Sequence, residues 1–357
     1  MPALPTFGIE EEFLVVDELT ARSITAEPLL DGTNDALVSE LNDCCVEWNS
    51  PVFTETSDLL DAAVSVRREL VATAMQHGRR VFGVGMHPID DEGASIAPDP
   101  RHERLSRRYP WAATRNVAYG LHVHVGMPSM DAAVRVSDAM RPLVPILVAC
   151  GANSPVRDLE AVGAMSTRML TTPLFPRTGP PPVFGDAAGL DDYLDRLARQ
   201  GVIRDYRDCW WLVRPHPKWC TVEFRMFDAQ SDPYRAVRLA SLVRLLAMQV
   251  HEHGDLLPPV EDDVLSEEIV TAARDGFHGT LYREHLHGVR IGDALRELVQ
   301  PLLADHPDGA FLQPLLDVTG PDVPPVTVDG FLRTADLAAH VDATSDVPTA
   351  ARAAVGE

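Results

Sequence analysis

Five stretches of the chain alternate apolar and polar side chains every second residue and carry β-branched or aromatic residues between turn formers. They are residues 7–16 (FGIEEEFLVV), 41–49 (LNDCCVEWN), 80–86 (RVFGVGM), 119–127 (YGLHVHVGM) and 219–228 (WCTVEFRMFD), and each reads as a strand. Between them the apolar period lengthens to that of a helix. Residues 57–78 (SDLLDAAVSVRRELVATAMQHG) have Ser57 as a start signal and Gly78 as a stop, and Asp131 to Cys150 and Pro233 to His253 read as two further helices. Interleaving of this kind predicts one α+β unit over residues 1–255, with helices covering a sheet. A second segment of short acidic helices runs over 256–344, and residues 345–357 form a tail expected to be disordered.

Proline and glycine gather in residues 173–185 (PLFPRTGPPPVFG), which excludes a regular element there and leaves a functional loop or a plain connector. VFGVGM has two glycines of a dinucleotide fingerprint but neither the third nor a helix start, and no GxxxxGK[ST] phosphate loop occurs. Five cysteines, Cys44, Cys45, Cys150, Cys209 and Cys220, form no CxxC pair and read as reduced structural thiols. Adjacent Cys44 and Cys45 are expected on opposite faces of a strand.

Charge changes the picture next. With 31 basic and 53 acidic residues the formal charge is −22, too acidic for a protein that neutralises nucleic-acid phosphates with a basic face. No stretch reaches the roughly 20 apolar residues of a membrane helix. The amino terminus lacks the basic and apolar regions of a secretory signal, so a cytoplasmic protein is expected. Lys218 is the single lysine, so nearly every clamp for phosphate or carboxylate must be an arginine fork.

Face assignment then concentrates the chemistry, because residues i and i+2 of a strand share a side. Glu10 and Glu12 point one way and Ile9, Glu11 and Phe13 the other. Asp43, Glu47 and Asn49 share a face, as do His122 and His124, and as do Trp219, Thr221, Glu223, Arg225 and Phe227. Alone, Glu-x-Glu reads as surface acids, His-x-His as a hydrogen-bonded pair and Glu223 with Arg225 as a surface ion pair. Their joint occurrence brings several carboxylates onto one surface, same-strand neighbours being about 7 Å apart. Like charges that close demand a counter-ion. Oxygen-rich ligands with one or two imidazoles suit Mg²⁺ or Mn²⁺, and in the absence of a phosphate loop they point to a nucleoside triphosphate completing the metal shell.

The motifs FGIEEEF, CVEWNSPV, GLHVHVG, GANSP and TVEFRMFDA, in this order and spacing, resemble the carboxylate–amine ligases related to glutamate–cysteine ligase. The resemblance runs from Phe7 to about Leu246 and takes in His87-Pro88, PDPR at 98–101 and GPPPVFG at 179–185. It implies a glutamine-synthetase-like fold: a curved, mainly antiparallel sheet with a concave site for ATP and Mg²⁺, and helices behind. By resemblance Glu10, Glu12, Glu47, His122 and Glu223 match metal ligands, Arg225 a phosphate-contacting arginine, and Glu40 a further acidic position. His124, Arg168 and Asn153 fall where substrate or phosphate is contacted, and His124 is the candidate base.

The implied reaction forms an acyl phosphate from a substrate carboxylate and ATP, which an amine then converts to an amide. Glutamate and cysteine are the expected kind of substrates, small amino acids rather than nucleic acid or membrane. Association of identical subunits is compatible with the sequence but not fixed by it. CVEWNSP and HPKWC depart from the family pattern, so Trp48, Trp219 and Lys218 are expected to mark an altered donor or acceptor pocket. Two other classes stay open: a metal-dependent amide hydrolase, separated by its indifference to ATP, and a non-catalytic nucleotide or metal sensor. Glu223→Gln is expected to abolish product without disturbing the fold.

Overall fold

A computed structural model describes residues 5–31, 34–89, 95–115, 117–319 and 328–341. Its centre is an open sheet of β1 (Phe7–Asp17), β2 (Leu37–Ser39), β3 (Cys45–Asn49), β4 (Arg79–Phe82), β5 (Gly120–Gly126), β8 (Val213–His216) and β9 (Thr221–Asp228). A separate two-stranded hairpin is made by β6 (Val156–Arg157) and β7 (Glu160–Ala161). The main order is β2-β3-β1-β5-β9-β8, with β4 pairing the far half of β1, and every pairing is antiparallel. The α+β expectation holds, and all five expected strands are present.

One face of the sheet is apolar because its side chains meet helices. Ile9, Phe13, Val46, Val123, Val222 and Phe224 join one cluster with residues of the helices Thr56–Gln76, Met130–Met140, Val144–Gly151 and Pro233–His253. That cluster also takes in Leu265, Ile269 and Leu295 from the carboxy-terminal helices. The third acid of the EEE run lies on this apolar side. Glu11 is fully buried and paired with Arg67, whose Nη1 and Nη2 donate to Oε2 and Oε1 at 2.8 and 2.7 Å. Arg67 also donates to the carbonyls of Gln230 and Ser231. This single guanidinium therefore ties the helix Thr56–Gln76 to β1 and to the loop after β9.

Several local expectations are corrected. Helix 131–150 is not continuous: Met130–Met140 gives way to a 3₁₀ turn at Arg141–Leu143 and then to Val144–Gly151, because Pro142 and Pro145 lack an N–H to donate. Ser129 rather than Asp131 starts it, its Oγ accepting from the Ala132 N–H at 3.1 Å. Ser57 lies inside a helix that begins at Thr56, and Glu55 occupies the cap position. Residues 41–44 form a turn rather than the start of β3. Asp43 is thereby removed from the face of Glu47 and accepts from the Ser95 N–H.

In β9 the register slips by one residue: Val123 pairs with Phe224, but Leu121 pairs with Phe227. This bulge reverses the phase of alternation beyond it. Phe227 therefore joins the apolar core, instead of the polar face it was expected to share. The expected tail at 345–357 lies outside the described residues. Among the described residues no helix is long and apolar enough to cross a membrane.

Candidate active site

Register carries the polar face across four strands. Glu12 faces Glu47 on β3, Glu10 faces Asn49 on β3 and His122 on β5, and His124 faces Glu223 on β9. The result is a continuous row of ionisable groups. Glu223 Oε1 lies 3.9 Å from His124 Nε2, which lies 3.2 Å from Glu10 Oε1. On the other side, Glu10 Oε2 is 3.2 Å from His122 Nδ1, and His122 Nε2 is 4.0 Å from Glu12 Oε1.

Two groups along this row offer converging ligand atoms within 4.8 Å of one another: Glu10, His124 and Glu223, and Glu12, Glu40 and Glu47. Glu40 lies just beyond β2, and the turn at 41–44 returns the chain so that Glu40 and Glu47 meet Glu12. His124 fits a cation best among the imidazoles. Its Nδ1 is held by Thr221 Oγ1 at 3.0 Å, while its buried Nε2 faces only carboxylates, Glu10 Oε1 at 3.2 Å and Glu223 Oε1 at 3.9 Å. Fixing one ring nitrogen in this way leaves the other lone pair aimed at the carboxylates, as in metal-binding histidines. His122 instead bridges Glu10 and Glu12, with Arg225 Nη1 3.4 Å from its Nδ1.

The electrostatics differ sharply between the two groups. In the first, burial works against ionisation of Glu223, but Arg214 and Arg225 outweigh it and hold the carboxyl well below its usual range. Burial likewise opposes ionisation of Glu10, and its hydrogen bonds to His122 and His124 prevail, so its pKa is lowered. His124 is raised, because Glu223 and Glu10 overcome the desolvation that would depress it. Burial, reinforced by Arg225, lowers His122 to about 4 and keeps it neutral at pH 7.

In the second group charge is compensated only in part. Burial and then Glu40 lift Glu12 to about 7, and burial followed by Glu40, Glu10 and Glu12 raises Glu47 well above the ordinary value. Glu40 alone is lowered: His102 hydrogen-bonds it at 3.1 Å and overcomes burial. Carboxylates crowded in this manner are the ones a divalent cation stabilises most.

Arg214 is the residue that the sequence pattern did not reveal. From β8 it grips Glu223 with Nε to Oε2 at 2.6 Å and Nη2 to Oε1 at 3.0 Å, and Arg225 donates to the same carboxylate. The strand Val213–His216 is short and contains a proline, so no alternation announces it. Its bidentate clamp corrects the expectation for Glu223→Gln. A glutamine there leaves Arg214 buried without its counter-charge, which costs about 3 kcal/mol by analogy with broken buried pairs. Urea unfolding should show that loss together with the loss of product.

Arg168 reaches the site from the helix Thr167–Thr171 and donates from Nη2 to the Arg225 carbonyl at 3.2 Å. Gly120 makes room for it: a Cβ there would lie 2.5 Å from Arg168 Nη2. Asn153 sits apart, both amide hydrogens donated to the carbonyls of Gly83 and Ala229 at 2.9 and 2.8 Å, and it lines no described cavity wall. Trp48 is 3 % exposed and lies in the core behind the sheet, so it does not shape a substrate pocket. Trp219 does lie at the site, in the turn between β8 and β9. It stacks on His216 at 4.5 Å, meets His124 edge-on at 5.4 Å, and lies 4.9 Å beneath the Lys218 ammonium.

Two cavities flank the row of ligands. The larger, about 1120 Å³, adjoins Glu10 and His124 and is walled by Ile9, Val52, Met248, Lys218 and Trp219. The smaller, about 160 Å³, adjoins Glu12, Glu40 and His122 and is walled by Arg168, Arg225, Phe175 and Thr178. Phe175 and Thr178 belong to the proline-rich loop, which therefore forms part of a cavity wall.

A sequence model described as glutamate-cysteine ligase family 2 matches residues 6–311. The chain belongs to this family. A relative from Rubrobacter xylanophilus named “Putative glutamate--cysteine ligase 2-3” is 37 % identical over 286 residues, covering 78 % of this chain and 77 % of its own. Another of the same name from Mycolicibacterium smegmatis is 35 % identical over 282 residues, covering 77 % of each. Among solved structures, a glutamate–cysteine ligase from Francisella tularensis in complex with AMP superposes with a TM-score of 0.66 at 12 % identity, over 99 % of this chain and 87 % of that one. A bifunctional glutathione synthetase from Pasteurella multocida gives 0.65 at 12 % identity over 99 % of this chain, which spans only 51 % of the longer protein. These two likenesses establish the fold. Family membership makes the protein an ATP-dependent ligase forming an amide bond, chemistry that uses ATP with a divalent cation, and it disfavours the hydrolase and the sensor.

Proposed function

We propose that this ligase joins the carboxylate of glutamate to the amine of cysteine, giving a γ-glutamyl amide, with Mg²⁺ as the working cation and Mn²⁺ as a substitute. The observation that supports this most is the pair of carboxylate groups that Glu10 and Glu12 bring to the polar face of β1, with Arg225 in the wall of the smaller cavity. Five carboxylates and one imidazole form a hard, oxygen-rich set of the kind Mg²⁺ and Mn²⁺ prefer. Glu10, His124 and Glu223 would hold one cation and Glu12, Glu40 and Glu47 another. Bound there, such ions neutralise charge on the transferring phosphoryl group.

The larger, apolar cavity with its exposed indole suits a nucleoside, and the smaller, arginine-walled cavity suits an amino acid. A carboxylate from the smaller side attacks the γ-phosphorus of ATP, giving an acyl phosphate and ADP. The amine then attacks the acyl carbon and releases phosphate. Arg225, fixed by Glu223, is poised to donate to phosphate oxygens, and Arg168 to a substrate carboxylate. His124 acts better as a ligand than as a base, since its Nε2 faces Glu10 and Glu223. A cytoplasmic setting supplies ATP and Mg²⁺ and keeps the free thiols reduced.

The test is ADP release over a matrix of amino-acid donors and amine acceptors, with mass spectrometry of products. Glutamate with cysteine should give the γ-glutamyl dipeptide; product from a different pair only would overturn the substrates and leave the ligase. In the same assay Trp219→Ala should raise KM for ATP about tenfold, the worth of one base–aromatic stack, without moving KM for the amino acids. A shift confined to an amino-acid KM would reverse the cavity assignment.

A further inference from the structure

Beside the smaller cavity lies a groove of about 380 Å³ walled chiefly by arginines. Four of them, Arg101, Arg104, Arg107 and Arg108, come from the helix Pro100–Arg108, at spacings of three and four residues that put them on one stripe. Arg177, Arg204 and Arg207 face them from the loops before β8, and among the described residues Asp205 and Asp208 are the acids in the wall. A surplus of five positive charges therefore collects in a chain of formal charge −22.

Internal contacts explain only part of this cluster. Arg107 pairs with Glu103 at 2.9 Å, Arg207 with Asp205 at 2.7 Å, and Arg108 donates to the Val202 carbonyl. Arg101, Arg104 and Arg204 have no side-chain hydrogen bond or ion pair among the described residues. Arg177 donates through Nε to the Asp208 carbonyl, yet its buried Nη2 has no partner. Like charges at helical spacing repel, and Arg101 stands in the first turn, where the helix end is itself positive. Among the described residues the through-space attraction of Glu40 and Asp205 for Arg101 offsets that repulsion in part. An anion in the groove would relieve it.

The groove is continuous with the smaller cavity, since Arg101, Leu105 and Trp210 line both. We propose that, beyond free glutamate, the site accepts longer amino-acid substrates whose far end, seated in this groove, carries further anionic groups, phosphate or carboxylate. The reacting end would sit at Arg168 and Glu12 while the extended, polyanionic end runs out between the helix Pro100–Arg108 and the loop of Arg204. This rests on the reading of the smaller cavity as the amino-acid side. Guanidinium forks grip both phosphate and carboxylate bidentately, so either chemistry satisfies the groove.

The test is calorimetric titration of the metal-free full chain with tripolyphosphate for the phosphate form and tri-γ-glutamate for the carboxylate form, with glutamate as the single-unit reference. At least one multiply charged probe should bind ten times more tightly than glutamate and lose affinity steeply with added NaCl. Arg104→Ser/Arg204→Ser should lose at least tenfold for that probe only; Arg204→Ser alone serves if the pair fails to fold. Unchanged binding by the variant, or no binding of either probe, overturns the proposal. Because no turnover is needed, the groove is tested separately: probe binding lost in the variant, with no ADP released from any substrate pair, would sink the ligase reading and not this one.

Discussion

Glu10→Gln is expected to lower ADP-forming activity by about 10³-fold, the scale on which one preorganised electrostatic contact acts in phosphoryl or acyl transfer. Glu10 is the hinge of the ligand row, contacting His124 through one oxygen and His122 through the other. Glutamine keeps the shape but removes the negative charge from the first carboxylate group. Unlike Glu223, Glu10 makes no ion pair with an arginine among the described residues; its partners are His122 and His124, imidazoles that can give up a proton when the negative charge is removed. Near-ultraviolet circular dichroism should be unchanged while ADP release collapses. Activity within tenfold of the parent, with the same dependence on Mg²⁺, would show that Glu10 does not help to hold the cation.

The second large effect is on stability and has a definite sign. Glu12, lifted to about 7 by burial and by Glu40, binds its proton more tightly in the fold than in the unfolded chain, where the ordinary value is 4.5. That contribution is complete below pH 4.5 and is lost as pH rises to 7; a shift of this size corresponds to about 3 kcal/mol. Glu47 is raised as well and acts in the same direction. Glu10 and Glu223, both lowered, stay ionised through this window and do not change its sign.

A divalent cation replaces those protons, so its stabilisation should grow with pH. Calorimetric melting with excess Mg²⁺ and with EDTA should give midpoints that diverge from pH 5.5 to pH 8. Full loading at a hundredfold excess over Kd adds about 2.7 kcal/mol. Metal titrations in buffers of different ionisation heat should also register proton release at neutral pH. A gap that is constant, or widest at pH 5.5, would exclude Glu12 and Glu47 as ligands that exchange a proton for a cation.

Much of this site was legible because a strand's period of two converts sequence into faces without any tertiary knowledge. Glu10 with Glu12, and His122 with His124, could be assigned to one side from their spacing alone. The reading failed where a neighbour or a single extra residue decides. The bulge in β9 turned Phe227 inward, the turn at 41–44 took Asp43 away, and two prolines broke a helix that periodicity had joined. Trp48 looked like a pocket residue by its departure from a family pattern, yet its face belongs to the core.

The sequence by itself determined that acids and imidazoles share the polar faces of several strands, and its motif order pointed to the family. It determined this because alternation and motif order are properties of the chain read locally. Only the tertiary structure decided how those faces are divided. Strand register set His122 opposite Glu10 and His124 opposite Glu223, so that Glu10, His124 and Glu223 converge, and the return of the chain after β2 brought Glu40 to Glu12 and Glu47. It also paired Glu11 with Arg67 and Glu223 with Arg214, and gathered seven arginines around one groove. Charge–charge energy depends on separation and burial, and neither can be read from positions along the chain.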